Sequence, residues 1–203
     1  TADEVFSLWR RASGKSIGLI LVSDYHHPMW AHLQEVFVEL DEIVFRIPMD
    51  LDLHALEWLR PMLESEDVVK IVHNAKSSEV LLMNQGVSLR GVAGDTLLLA
   101  YVNDPSFAGD DLCAILLKHL NLQIAKERND LQVFYLQKAF QHMKEETPAE
   151  LIDLLNNMEM PVSTILARME YCGVKVEKHT LVSLSAELGE RICQAEQQIH
   201  KLA

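Results

Sequence analysis

Cysteine is scarce in this chain of 203 residues, and its three copies, Cys113, Cys172 and Cys193, stand far apart. An odd number without C-x-x-C spacing supports neither a disulfide framework nor a zinc site, so a reducing, cytoplasmic setting is expected. Long apolar runs are missing too. No window approaches the roughly 18 consecutive apolar residues of a membrane span, and no membrane partner is expected. The opening residues lack the charged-then-apolar pattern of a signal peptide. A start on Thr1 rather than Met is expected of a piece of a longer protein. Positive charge is in deficit: 18 Lys and Arg stand against 30 Asp and Glu, a formal charge of −12. The basic residues are scattered, with Arg10 and Arg11 the one adjacent pair. Phosphate contact needs concentrated Lys and Arg, so DNA binding by this chain alone should be weak. Aromatics make up 6% and are not interleaved with basic residues, which gives no sign of a stacking platform for single strands. Neither G-x-x-x-x-G-K-[ST] nor G-x-G-x-x-G occurs.

What is present reads as a folded domain. Hydrophobic residues reach 49% with mixed charge, and the length allows one good core with an appended helical piece. Thr1 followed by Asp3 and Glu4 predicts a capped helix ending near Ser13 and Gly14. Three β-rich runs, 16–22, 35–40 and 42–47, predict an antiparallel meander stopped by Pro48. Asp50 or Asp52 should cap a helix with Leu53, Leu56, Leu59 and Leu63 on one face, leading to an apolar strand over 68–72. Ser77 or Ser78 can cap the next helix, which Gly86 stops in a left-handed C′ position. Residues 87–92 return toward the sheet. Asp95 and then Asp110 or Asp111 start further helices, and 130–144 has helical spacing. Thr147-Pro148-x-Glu150 has the form of a capping box with Pro at N1, which marks the best domain boundary. Pro161 should kink or interrupt the following helix and Gly173 should end it. Leu181, Leu184, Leu188, Ile192, Ala195, Ile199 and Leu202 predict an amphipathic helix over 181–202.

Two blocks carry a family resemblance. Residues 69–105, VKIVHNAKSSEVLLMNQGVSLRGVAGDTLLLAYVNDP, resemble the 3′→5′ proofreading exonuclease domain of the bacterial DNA polymerase I family, family A, where a strand precedes Asn-x-x-x-Asp at a helix start. Residues 158–176, MEMPVSTILARMEYCGVKV, resemble the passage of those polymerases into their polymerase domain. The resemblance implies an α/β, ribonuclease H-like mixed sheet with flanking helices over 1–147, then the beginning of the polymerase domain and a C-terminal helical segment over 148–203. It also implies intramolecular packing on the polymerase domain, DNA as partner through the full-length enzyme, and Mg²⁺ as cofactor of that enzyme but none of this chain.

Family exonucleases use two divalent cations, which need several oxygen ligands, preferably carboxylates. The resemblance places these at Asp-x-Glu on the first strand, the Asp of Asn-x-x-x-Asp, and the Asp of a Tyr-x-x-x-Asp helix. The first strand, SIGLILVSDYHHP, has no Asp-x-Glu; Ser78 follows Asn74 where Asp belongs; and Tyr135-x-x-x-Ala139 leaves Ala139 in the third ligand position. No catalytic residue is therefore assigned: Ser78 and Ala139 are degenerate positions, Asn74 and Tyr135 remnants. The proofreading reaction should be absent and the domain a scaffold. Asn74 and Asp95 read as cap residues, Ser78 as a helix-start residue and Tyr135 as a partly buried helix residue. An active nuclease using displaced Asp24, Glu79 and Asp95 is the enzymatic alternative, and an acidic protein-interaction module another. His26 and His27 beside Asp24 have metal-ligand chemistry, yet adjacent histidines on a strand point to opposite faces. His73, Lys76 and Glu79 lie near the former site without nucleophile-base spacing.

Overall fold

The computed structural model describes residues 2–52, 54–106 and 111–202. Helix α1 (Ala2–Ala12) ends before Gly14, whose φ of +70° turns the chain into β1 (Ser16–Ser23). Strands β2 (Leu33–Leu40) and β3 (Ile43–Pro48) complete the expected antiparallel meander. Then come α2 (Ala55–Leu63), β4 (Val69–Val72), α3 (Ala75–Met83), β5 (Val92–Asp95) and α4 (Thr96–Asn103). The rest is helical: α5 (Leu112–Leu120), α6 (Asn129–Glu146), α7 (Ala149–Leu154), α8 (Met160–Cys172) and α9 (Lys178–Leu202). The sheet order is β3-β2-β1-β4-β5, with β1, β4 and β5 parallel, so it is the expected mixed sheet.

Alternation along β1 divides the core. Ile17 and Leu19 enter a cluster with α1, α2 and part of α3, where Leu8, Leu59, Met62 and Leu82 are buried. Burying each such side chain stabilises the fold by roughly 1.5–3 kcal/mol. The opposite face carries Gly18 and Ile20 toward α6. A Cβ on Gly18 would lie 3.1 Å from the Val133 carbonyl oxygen, and one on Gly94 of β5 would overlap the Phe140 ring. Two glycines thus let α6 lie close across the sheet. Leu136, Ala139, Phe140 and Met143 of that helix form the second cluster with Ile71, Leu99, Ile115 and Leu116.

Several local expectations change. Thr1, Leu53, Asp110 and Ala203 lie outside the described residues, and Asp111 caps α5 by accepting from the Cys113 amide at 3.0 Å. Asp52 accepts from the His54 amide one turn before α2 begins, and Met49–Leu51 form a 3₁₀ turn. Asn74, rather than Ser77 or Ser78, caps α3. The Thr147 hydroxyl donates to the Met143 carbonyl and accepts from Asn103 Nδ2, so it closes α6 and forms no capping box for α7. Before Pro161, residues Leu155–Glu159 widen into a π turn, which accommodates the missing N–H without breaking the helical path into α8.

Packing forms two compact units, Thr1–Tyr171 and Cys172–Ala203. Leu151, Ile152, Leu154 and Met160 pack on the second cluster, and Leu155 is buried in it. Residues after 147 therefore share the first unit's core, and packing divides the chain later than the sequence signal. The second unit contains α9, where Leu181, Leu184, Leu188, Ile192 and Ile199 form an exposed apolar stripe.

Candidate functional site

Helix α3 starts at a polar node made mostly by one carboxylate. Asn74 adopts φ +59°, a left-handed conformation that Asn tolerates, and its side chain accepts from the Ser77 amide at 3.2 Å. Asp95 is 1% exposed. Its Oδ1 accepts from the amides of Asn74 at 2.9 Å and Leu97 at 2.8 Å, and its Oδ2 from the Ala75 amide at 2.7 Å. The carboxylate caps α4 and ties the start of α3 to it, the structural role expected of this residue.

One turn into α3, Ser78 donates to the Asn74 carbonyl at 3.2 Å and lines a pocket of about 360 Å³. Ile20 and Leu21 of β1, His73, Leu112, Asp111, Lys126 and Gln132 complete the wall. Three elements expected to carry metal ligands therefore do converge, and they bring Ile20, Ser78 and Gln132. Gln132 is buried and donates to the Lys126 carbonyl at 2.9 Å, holding the loop that rims the pocket. His73 Nδ1 lies 2.9 Å from the Thr96 hydroxyl. Asp111 meets Lys126 at 2.5 Å. Burial opposes ionisation of Asp111, yet Lys126 and the Cys113 amide together hold its carboxyl below the usual range.

Ala139 is elsewhere. It is fully buried in the second cluster, and Tyr135 packs against that cluster as a partly buried residue. The position that α6 offers to the pocket is Gln132, which the sequence reading missed. Gln132 and Ala139 are two turns apart on nearly the same face of α6, with Leu136, Phe140 and Met143, so the apolar spacing alone does not tell which turn meets the pocket.

The displaced carboxylates are likewise committed to other contacts. Asp24 Oδ1 accepts from the His32 amide at 2.7 Å and fixes the loop after β1. Glu79 accepts from the Thr164 hydroxyl of α8 at 2.9 Å; burial pushes its carboxyl pKa up, against Thr164 and the nearby Arg168. Lys76 pairs with Glu170 of α8. The His27 ring stacks on Trp30 and the His26 ring tilts against Tyr25. Among the described residues no three His, Cys, Asp or Glu side chains are placed to hold a metal ion. Two hard cations need several anionic oxygens; among the described residues this pocket has one carboxylate, paired with a lysine. Its residues do not fit that metal pair. Among the described residues no helix is long and apolar enough to cross a membrane.

The family model for the DNA polymerase I ribonuclease H-like domain matches residues 20–135. DNA polymerase I of Bacillus subtilis (strain 168) is 30% identical over 179 residues, covering 77% of this chain and 20% of the relative. DNA polymerase I of Pseudomonas aeruginosa is 31% identical over 199 residues, covering 84% of this chain and 22% of the relative. The chain thus spans about a fifth of the length of these curated relatives. Among solved structures, the POL domain of Pol1 from M. smegmatis, in complex with DNA primer-template and dNTP, superposes with a TM-score of 0.82 at 25% identity. That match covers 94% of this chain and 34% of the other.

Proposed function

Because this chain belongs to the DNA polymerase I family, through its ribonuclease H-like domain, we propose that it is a catalytically inactive proofreading-exonuclease-like domain. It serves as scaffold for the polymerase domain of a DNA polymerase I-like enzyme in DNA replication and repair. The observation that carries this reading is the pocket wall: Ile20, Ser78 and Gln132 stand where the metal-binding strand and helices converge, and Asp111 is bound to Lys126. None of the three side chains supplies an anionic oxygen. The scaffold role draws support from α8, where Val162, Ile165, Leu166 and Met169 are exposed on a helix already anchored to α3 through Glu79 and Lys76. A row of that kind suits packing within a longer chain. Polymerisation with Mg²⁺ and contact with DNA belong to the full-length enzyme, in the cytoplasm, while a charge of −12 keeps DNA binding by this part weak.

The test is a 3′-labelled single-stranded oligonucleotide incubated with the chain in Mg²⁺ or Mn²⁺. No nucleotide release is expected, and Ser78→Asp alone should not create it, since one acid cannot assemble a two-metal site. Metal-dependent release that disappears in Asp24→Ala, Glu79→Ala or Asp95→Asn would establish an active nuclease with displaced ligands and end the scaffold reading.

A further inference from the structure

Helix α8 turns its apolar side outward. Val162, Ile165, Leu166 and Met169 are exposed, while the side turned to the protein buries Ser163 and Ala167 and carries Thr164 and Glu170. Burying a serine and an alanine withdraws little apolar surface from water, so hydrophobic packing holds this helix weakly. Its backbone makes few close approaches to the other elements. Side chains bridge the distance instead, and two bridges start on α3: Glu79 accepts from Thr164 Oγ1 at 2.9 Å, and Lys76 pairs with Glu170.

The two bridges differ in their surroundings. Lys76 and Glu170 stay partly exposed and neutralise each other. Glu79 is buried, the only titratable side chain of either helix that is, among the described residues. What meets its carboxyl is a hydroxyl rather than a cation, and Arg168, one turn beyond Thr164, is exposed.

We propose that Glu79 is a proton-operated latch for α8: the neutral carboxyl keeps the helix seated on α3, and the ionised carboxyl loosens it. The charged groups around it are Lys76 on its own helix and Arg168 and Glu170 on α8. Burial raises the Glu79 pKa in the seated state, against the opposite effects of Thr164 and Arg168. With α8 released the carboxyl returns to water and to its ordinary value, so the seated state holds the proton more tightly. The proton's contribution to seating is therefore complete below the ordinary carboxyl range and is lost as pH rises through the raised value. The latch rests on the contact between α3 and α8 and is independent of whether the pocket cleaves nucleic acid.

Hydrogen exchange of the whole chain between about pH 4 and about pH 8, corrected for intrinsic rates, reads the latch on the amides of 163–171, with α6 as internal reference. Protection of α8 relative to α6 should fall as pH rises. Glu79→Gln keeps the size and the acceptor for Thr164 without the charge, so α8 should stay protected across the range. Thr164→Val removes a donor that favours the ionised form, and the loss of protection should extend to higher pH. Lys76→Met weakens the seat through the exposed pair and should lower protection while the pH dependence remains. The proposal is overturned if α8 protection in the unaltered chain is flat with pH, or if its slope survives in Glu79→Gln. A parallel fall in α6 would assign the pH effect to the whole fold and overturn it equally.

Discussion

Two polar sites sit one helical turn apart at the start of α3, and they respond differently to the loss of an acid. At the first, Asp95 supplies acceptors to three backbone amides inside the protein. At the second, Ser78 occupies the expected place of a carboxylate and spends its hydroxyl on the Asn74 carbonyl. A carboxylate that satisfies buried amides cannot leave without orphaning them, whereas one that serves only a metal ion leaves no unpaired protein group behind. The difference explains how a fold can keep every structural bond around a pocket whose residues do not suit two cations. Among the described residues no buried side-chain nitrogen or oxygen lacks a partner.

The sharpest way to break this comparison is to place acids where the two readings of α6 disagree. Ala139→Asp should destabilise the protein by about 4 kcal/mol, because it buries an unpaired charge against Phe140 and Met143. Gln132→Asp should cost only about 1–2 kcal/mol, since it loses the bond to the Lys126 carbonyl at the pocket wall. Urea denaturation of both variants checks the order; equal costs would place Ala139, not Gln132, at the pocket.

The next largest effect tests the node itself. Asp95→Ala should lower stability by about 3 kcal/mol through three unsatisfied amides and the loss of a cap. Ser78→Ala should stay within about 0.5 kcal/mol. If the two variants melt alike, the distinction between a structural and a dispensable position fails.

A third buried polar group sharpens the same point with a smaller effect. Lys70 is fully buried, and among the described residues its ammonium donates to a single acceptor, the Ser65 carbonyl at 2.6 Å. Burial lowers its pKa from 10.5 to about 8. Between those values the unfolded chain holds the proton more tightly than the folded one. The contribution of Lys70 to stability should therefore rise as pH increases across that window, by roughly 1–3 kcal/mol. Lys70→Met should remove this slope and gain stability near neutral pH, read by denaturation at pH 7 and at pH 10. An unchanged slope would mean that the ammonium is solvated in the folded state.

Helices and strands were legible because their signals are local. Gly14, Gly86 and Gly173 all adopt the positive φ that ends a helix, and Asp95 and Asp111 cap as their positions predict. Asn74 caps α3, one of the two readings its sequence position carried, while Ser77 and Ser78, the other candidates, lie inside the helix's first turn. Thr147 failed because its hydroxyl had a nearer acceptor in the closing turn of α6.

By itself, the sequence determined the α/β order, the acidic balance and the absence of Asp-x-Glu on the first strand, since composition and hydrophobic period need no partner to be read. Only the tertiary structure decided which turn of α6 meets the pocket. Gly18 and Gly94 let that helix lie close on the sheet, where Ala139 is buried and Gln132, two turns earlier on nearly the same face, lines the pocket with Ser78. A short motif carries no information about such a shift along the axis, because a helix displaced by seven residues presents nearly the same face to the core.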